Sequence, residues 1–149
     1  MLQLFVSALA GLRSLRRKRT LQDDIPVAAQ WMSDCLRSTG YAADFAPRSI
    51  AEVERFFAEH TRDGHAVPGG LLSQGLGQRL FALGSYCGEV LRREMGGAWI
   101  TDETDPEGEI NATLELDTGV TCWPMQRVIK RFQGPEDNLA HWAEALRER

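Results

Sequence analysis

Cys35, Cys87 and Cys122, the imidazoles of His60, His65 and His141, and the serines Ser73 and Ser85 are the side chains from which nucleophilic or metal chemistry would be built in this chain. A hydrolase nucleophile elbow places Gly two residues before and two after the serine. Ser85 has Leu83 and Cys87 at those positions and Ser73 has Leu71 and Gly75, so neither fits. A reactive thiol needs an electropositive, partly exposed setting to hold its thiolate. Cys87 instead falls on a run of leucines and Cys122 in a short apolar strand, where cysteine behaves as a small apolar side chain. His60 and His65 are five residues apart, whereas a helix presents two ligands at i and i+4. They read as members of a solvated polar loop.

Asp102, Glu103, Asp105, Glu107 and Glu109 crowd one segment and invite a test for calcium. With Gly108 in the place of the invariant loop glycine, the twelfth position is Leu114, where a bidentate Glu is required. An EF-hand is therefore rejected, and the segment reads as an acidic loop leading into a strand. Gly75 and Gly77 lack the Gly-Lys-Ser/Thr continuation of a phosphate loop. No catalytic, metal-binding or cofactor-binding residue is expected from these patterns.

One pattern does demand an explanation. Gly77, Gly84 and Gly88 fall within about 40° of one another on a helix, beside Phe81. Each interior helical Gly costs about 1 kcal/mol relative to Ala. Such a face admits another backbone, or the floor of a groove, at close range. Charge adds a second pattern. Residues 1–20 carry five basic residues (Arg13, Arg16, Arg17, Lys18, Arg19) and no acid, and residues 21–149 carry 12 basic against 21 acidic residues, a net of −9. An acidic body repels phosphate backbones, which excludes nucleic acid as its expected partner.

These residues need elements to position them. Chain length (149 residues) matches one ordinary domain, and 43% hydrophobic with 26% charged residues is a globular composition. The odd number of widely spaced cysteines argues for reduced thiols and a cytoplasmic setting. Leu2 to Leu15 form an apolar stretch followed by the basic run, the reverse of a secretory signal and too short to span a bilayer. It reads as a loose or covering segment, or as a membrane-surface anchor over residues 1–19.

A helix is expected over 26–38, opened by Pro26, closed by Gly40 and burying Trp31, Cys35 and Leu36. Ser49 and Glu52 predict a capping box for a helix carrying Ile50, Val53, Phe56 and Phe57. Residues 61–70 read as a flexible loop. The longest helix is expected over 71–95, with Leu72, Leu76, Leu80, Leu83, Cys87, Val90 and Leu91 as its stripe; Gln78, Ser85, Glu89, Arg92 and Arg93 lie opposite, and Glu89 pairs with Arg93. Trp99 and Ile100 open a short strand. Unbroken alternation from Glu109 to Leu116 predicts a second strand, with Ile110, Ala112, Leu114 and Leu116 inward. Asp117-Thr118-Gly119 is a hairpin turn and Val120–Trp123 the return. Pro124 opens a helix with Met125, Val128, Ile129 and Phe132 inward and Arg127, Lys130 and Arg131 elsewhere, and a last helix carries Leu139, Trp142 and Leu146. The order predicts an α+β fold, with helices on one face of a small antiparallel sheet of about three strands.

The run Leu83-Gly84-Ser85-Tyr86-Cys87-Gly88-Glu89-Val90-Leu91, then Gly96-Gly97-Ala98-Trp99, Trp123-Pro124 and Val128-Ile129-Lys130-Arg131-Phe132, resembles a set of small bacterial domains of unknown function. The resemblance covers about residues 50–145. It implies the α+β fold and a bacterial source, and no activity.

The expected function is that of a non-enzymatic, protein-binding accessory domain, of the adaptor or immunity kind, with a protein partner the sequence does not identify. Its interaction surface is expected among Gly77, Gly84, Gly88, Glu107, Glu109, Arg127, Lys130 and Arg131. Two alternatives stand beside it. One is an enzyme built on Glu89, His60, His65 and a carboxylate from 102–109; the other is a membrane-surface protein held by residues 1–19.

Overall fold

The computed structural model describes residues 19–149, which form six helices and two small antiparallel sheets. The expectations for the apolar stretch and the membrane anchor fall, through residue 18, outside the described residues.

Helix α1 runs Leu21–Ser38, starting five residues before Pro26. The earlier start has a local cause. The Thr20 side chain accepts from Asp23 N at 3.2 Å and the Asp23 carboxylate accepts from Thr20 N at 3.2 Å, a reciprocal cap that holds the first turn. Pro26 is carried inside the helix, where it forgoes one backbone donor. Leu21, Ile25, Ala29, Met32 and Leu36 face inward. That set turns Trp31 outward, 47% exposed, in place of the expected burial.

The connection to α2 (Ser49–His60) holds Phe45 at φ +64°. Its N–H donates to the Tyr86 hydroxyl at 3.0 Å, its ring lies 4.7 Å from that of Tyr86, and the Arg93 guanidinium covers it at 3.7 Å. The capping box expected at Ser49 and Glu52 is absent. Ser49 is the first helical residue, fully buried; its hydroxyl donates to Ala46 O at 2.7 Å and accepts from the Tyr86 hydroxyl at 2.7 Å. Glu52 accepts instead from Ala42 N at 2.8 Å and pairs with Arg55 at 2.9 Å, fastening the connection to the helix.

Residues 61–70, expected as a loop, begin with a hairpin, β1 (Thr61–Arg62) against β2 (His65–Ala66). Asp63 and Gly64 both have positive φ, +55° and +77°, which is the turn that matches strand twist and that Asp-Gly favours.

Helix α3 spans Leu76–Met95 and is the centre of the molecule. It begins later than residue 71, after a turn that ends at Gly75 with φ +60°. Every residue from Leu80 to Leu91 is buried, because α1 packs along one side of α3 and α5 along another. Ser85 and Glu89 are thus inside the core, not on a wet face. Glu89 pairs with Arg92 at 2.7 Å and accepts from the Trp99 indole N–H at 2.9 Å, while Arg93 serves Phe45.

Strand β3 (Gly97–Ile100) pairs antiparallel with β4 (Thr113–Leu116), and β4 with β5 (Thr121–Cys122). Register aligns Trp99, Leu114 and Cys122 across the face turned to the helices; Ile100, Glu115 and Thr121 face outward. The Gln22 side-chain amide donates to Trp99 O at 2.6 Å, joining α1 to this sheet. The strand expected from residue 109 is half as long. Residues Gly108–Asn111 form a single helical turn, α4, and pairing starts only at Thr113. Asp105 stabilises that turn by accepting from Glu107 N at 2.8 Å and Asn111 Nδ2 at 2.9 Å. Ile110 and Ala112 are buried as the alternation required, by a different backbone.

Helix α5 (Pro124–Gln133) has Pro at its first turn and buries Met125, Val128, Ile129 and Phe132. Helix α6 (Leu139–Arg147) is capped by Asn138, which accepts from His141 N at 3.0 Å. The result is the α+β layout, with the helices on one face of a three-stranded sheet and a small hairpin apart from it.

Candidate functional site

Gly84 and Gly88 receive the chain's own backbone and side chains. A Cβ at Gly84 would lie 2.7 Å from Met125 Cα, and one at Gly88 would lie 2.3 Å from two ring carbons of Trp99. Gly77 borders a cavity of about 10 Å³ between Phe81, Glu109, Ile110, Met125 and Ile129. That is room for about one water at most. The groove a ligand would enter is filled by the start of α5 and by β3.

The charged residues separate into two groups. Glu109 is buried beside the Gly77 cavity, whereas Glu107 is exposed, so the two do not form one acidic face. Arg131 is buried, not part of a basic surface. Its Nε donates to Glu54 at 2.7 Å, and the same carboxylate accepts from Leu139 N, at the start of α6, at 2.9 Å. Arg127 and Lys130 do share an outer face. Helical spacing dictates this split: with Val128 and Ile129 inward, Arg131 joins them and Arg127 and Lys130 turn away.

Arg127 and Lys130 line a cleft of about 190 Å³ between β5, α5 and α6. Thr121, Cys122 and Trp123 supply one wall, Trp142, Ala145, Leu146 and Arg149 the other. Trp123 is 45% exposed at its mouth. The Arg127 guanidinium lies 5.8 Å from the Trp142 ring centre and 3.8 Å from the Asp137 carboxylate. Among the described residues no acidic side chain lines the cleft, and neither Lys130 nor Arg149 has an ion-pair partner. Two indole faces, an amide (Gln126) and three cations can grip an apolar group next to negative charge. They offer no nucleophile. Burial pushes the Cys122 thiol up to about 11, with Arg127 pulling the other way, so at neutral pH it is protonated.

Sequence reasoning placed Arg127 and Lys130 on this surface and missed Trp123, Trp142 and Arg149. Trp123 had a signal: it directly precedes the helix-opening Pro124, so a core-facing Met125 leaves it at the edge. Trp142 and Arg149 had none, because only the return of α6 past α5 brings them there.

A second, apolar groove of about 170 Å³ lies at the C-terminal half of α1, lined by Trp31, Met32, Cys35, Leu36, Phe56 and Leu71 among others, with Arg79 at its edge. Burial raises the Cys35 thiol, opposed by Arg79.

The groups expected for an enzyme are engaged separately. Glu89 holds Arg92 and Trp99. His60 stacks on Phe56 at 4.5 Å and accepts from Leu71 N at 3.5 Å; His65 meets the Asp63 carbonyl at 2.9 Å. Burial pushes the Cys87 thiol up to about 12, aided by nearby Glu54. No group of three His, Cys, Asp or Glu among the described residues could hold a metal ion, and no described helix is long and apolar enough to cross a membrane. No protein-family model, curated protein or solved structure matches this chain.

Proposed function

We propose that this chain is a non-enzymatic, protein-binding accessory domain and that it binds through the Trp123 face. The observation that carries this reading is a half-exposed tryptophan beside two cations, Lys130 and Arg149, that have no ion-pair partner among the described residues. Buried charges elsewhere are tied: Arg131 to Glu54, and Glu89 to Arg92 and Trp99. Tryptophan and arginine are the residues that most often dominate binding energy at protein interfaces. The three free thiols support a cytoplasmic setting, and the likeness of residues 83–99 to small bacterial domains supports a bacterial one.

Affinity capture with the wild type, Trp123→Ala and Trp31→Ala, followed by mass spectrometry, tests the reading. One stoichiometric partner should be retained by Trp31→Ala and lost with Trp123→Ala. A bait that captures nothing at low or high salt overturns it.

A further inference from the structure

The geometry points to an acidic peptide segment carrying one large apolar side chain as the occupant of the Trp123 cleft. The inference rests on the protein-binding reading above and adds the partner's chemistry. Size comes first. At about 190 Å³ the cleft is smaller than the roughly 300–1,000 Å³ of a small-molecule or cofactor site. It suits a single apolar side chain laid against the indoles of Trp123 and Trp142. Charge comes second. Arg127, Lys130 and Arg149 surround that position, and among the described residues no acidic side chain lines the cleft. Residues 21–149 carry a net charge of −9, so this is a local reversal of sign on an acidic body.

An acidic segment is attracted at the cleft and repelled elsewhere, which fixes where and in which register it docks. A nucleic acid strand meets the same three cations and then the acidic remainder, with no basic track to follow. An apolar segment without carboxylates covers Lys130 and Arg149 without pairing them, and only Arg127 keeps a partner, Asp137 at 3.8 Å, which disfavours it.

The test is selection of a random dodecapeptide library, displayed on phage, against the full chain. Enriched sequences should combine two or more Asp or Glu with a Leu, Phe, Tyr or Trp. A fluorescein-labelled enriched peptide should bind about tenfold or more weakly to Trp123→Ala, and to Lys130→Glu, whose site is exposed and leaves the core untouched. Binding should also weaken as salt rises from about 0.05 to 0.3 M. Replacing one peptide Glu by Lys should restore affinity for Lys130→Glu. Enriched peptides that are basic or uncharged, or that lose binding with Trp31→Ala but keep it with Trp123→Ala, overturn the acidic-segment assignment and leave the domain a protein binder. Tight binding of a labelled thymidine oligonucleotide that is lost with Trp123→Ala, with no peptide enriched, overturns both.

Discussion

A methyl group at position 88 would stand 2.3 Å from the Trp99 ring, and one at position 84 would stand 2.7 Å from the backbone of Met125. Both distances are well inside contact, so something must shift. Overpacking of this kind costs about 1–3 kcal/mol. Gly88→Ala should therefore lower stability by about 3 kcal/mol in urea melts, and adding Trp99→Leu should recover part of it. The glycine face was legible in the sequence because three glycines at helical spacing conflict with helix propensity. What fills it was not. Trp99 and Met125 come from different elements downstream, and no local rule connects them to α3.

Among the elements, α2, α5 and α6 meet at one carboxylate. Glu54 accepts from Arg131 at 2.7 Å and from the first N–H of α6 at 2.9 Å, and the Arg131 side chain is only 3% exposed. Removing the charge strands a buried guanidinium, which costs about 3–5 kcal/mol. Glu54→Gln should lower the Tm by on the order of 10 °C, whereas replacing Glu54 and Arg131 together by Leu and Met should cost much less. Differential scanning calorimetry separates the two outcomes. Helix α5 was legible from Pro124 and its apolar spacing, but its buried Arg131 was not, because the partner lies 77 residues away. The misread starts of α1 and β4 have local causes. Thr20 with Asp23 outcompetes Pro26 as a helix start. Ile110 and Ala112 satisfy strand alternation and a single helical turn equally well, and Asp105 decides between them.

For the molecule as a whole, acid is the condition to which the fold should be most sensitive. Hydrogen bonds from Arg55 and from the Ala42 N–H hold the Glu52 carboxyl down at about 2, against an ordinary 4.5. Burial raises the Glu89 carboxyl, but hydrogen bonds from Arg92 and Trp99 outweigh it and leave it below its ordinary value. A carboxyl lowered in the folded state adds stability above its unfolded value and loses it as pH falls toward the folded one. The Tm should stay level down to about pH 5 and fall below about 4.5; Glu52→Gln should start lower and fall less steeply. The α+β layering was legible from the order of patterned segments, whereas the cleft was not, since it depends on how α6 returns beside α5. The sheet also bears on how the molecule behaves in company. β3 is an edge strand, and an edge offers unpaired backbone groups to any other extended chain. Gln22, reaching from α1, already occupies the Trp99 carbonyl on that strand. This amide takes up one of the backbone acceptors that a second extended chain would need to lengthen the sheet, so α1 blunts the edge that β3 presents.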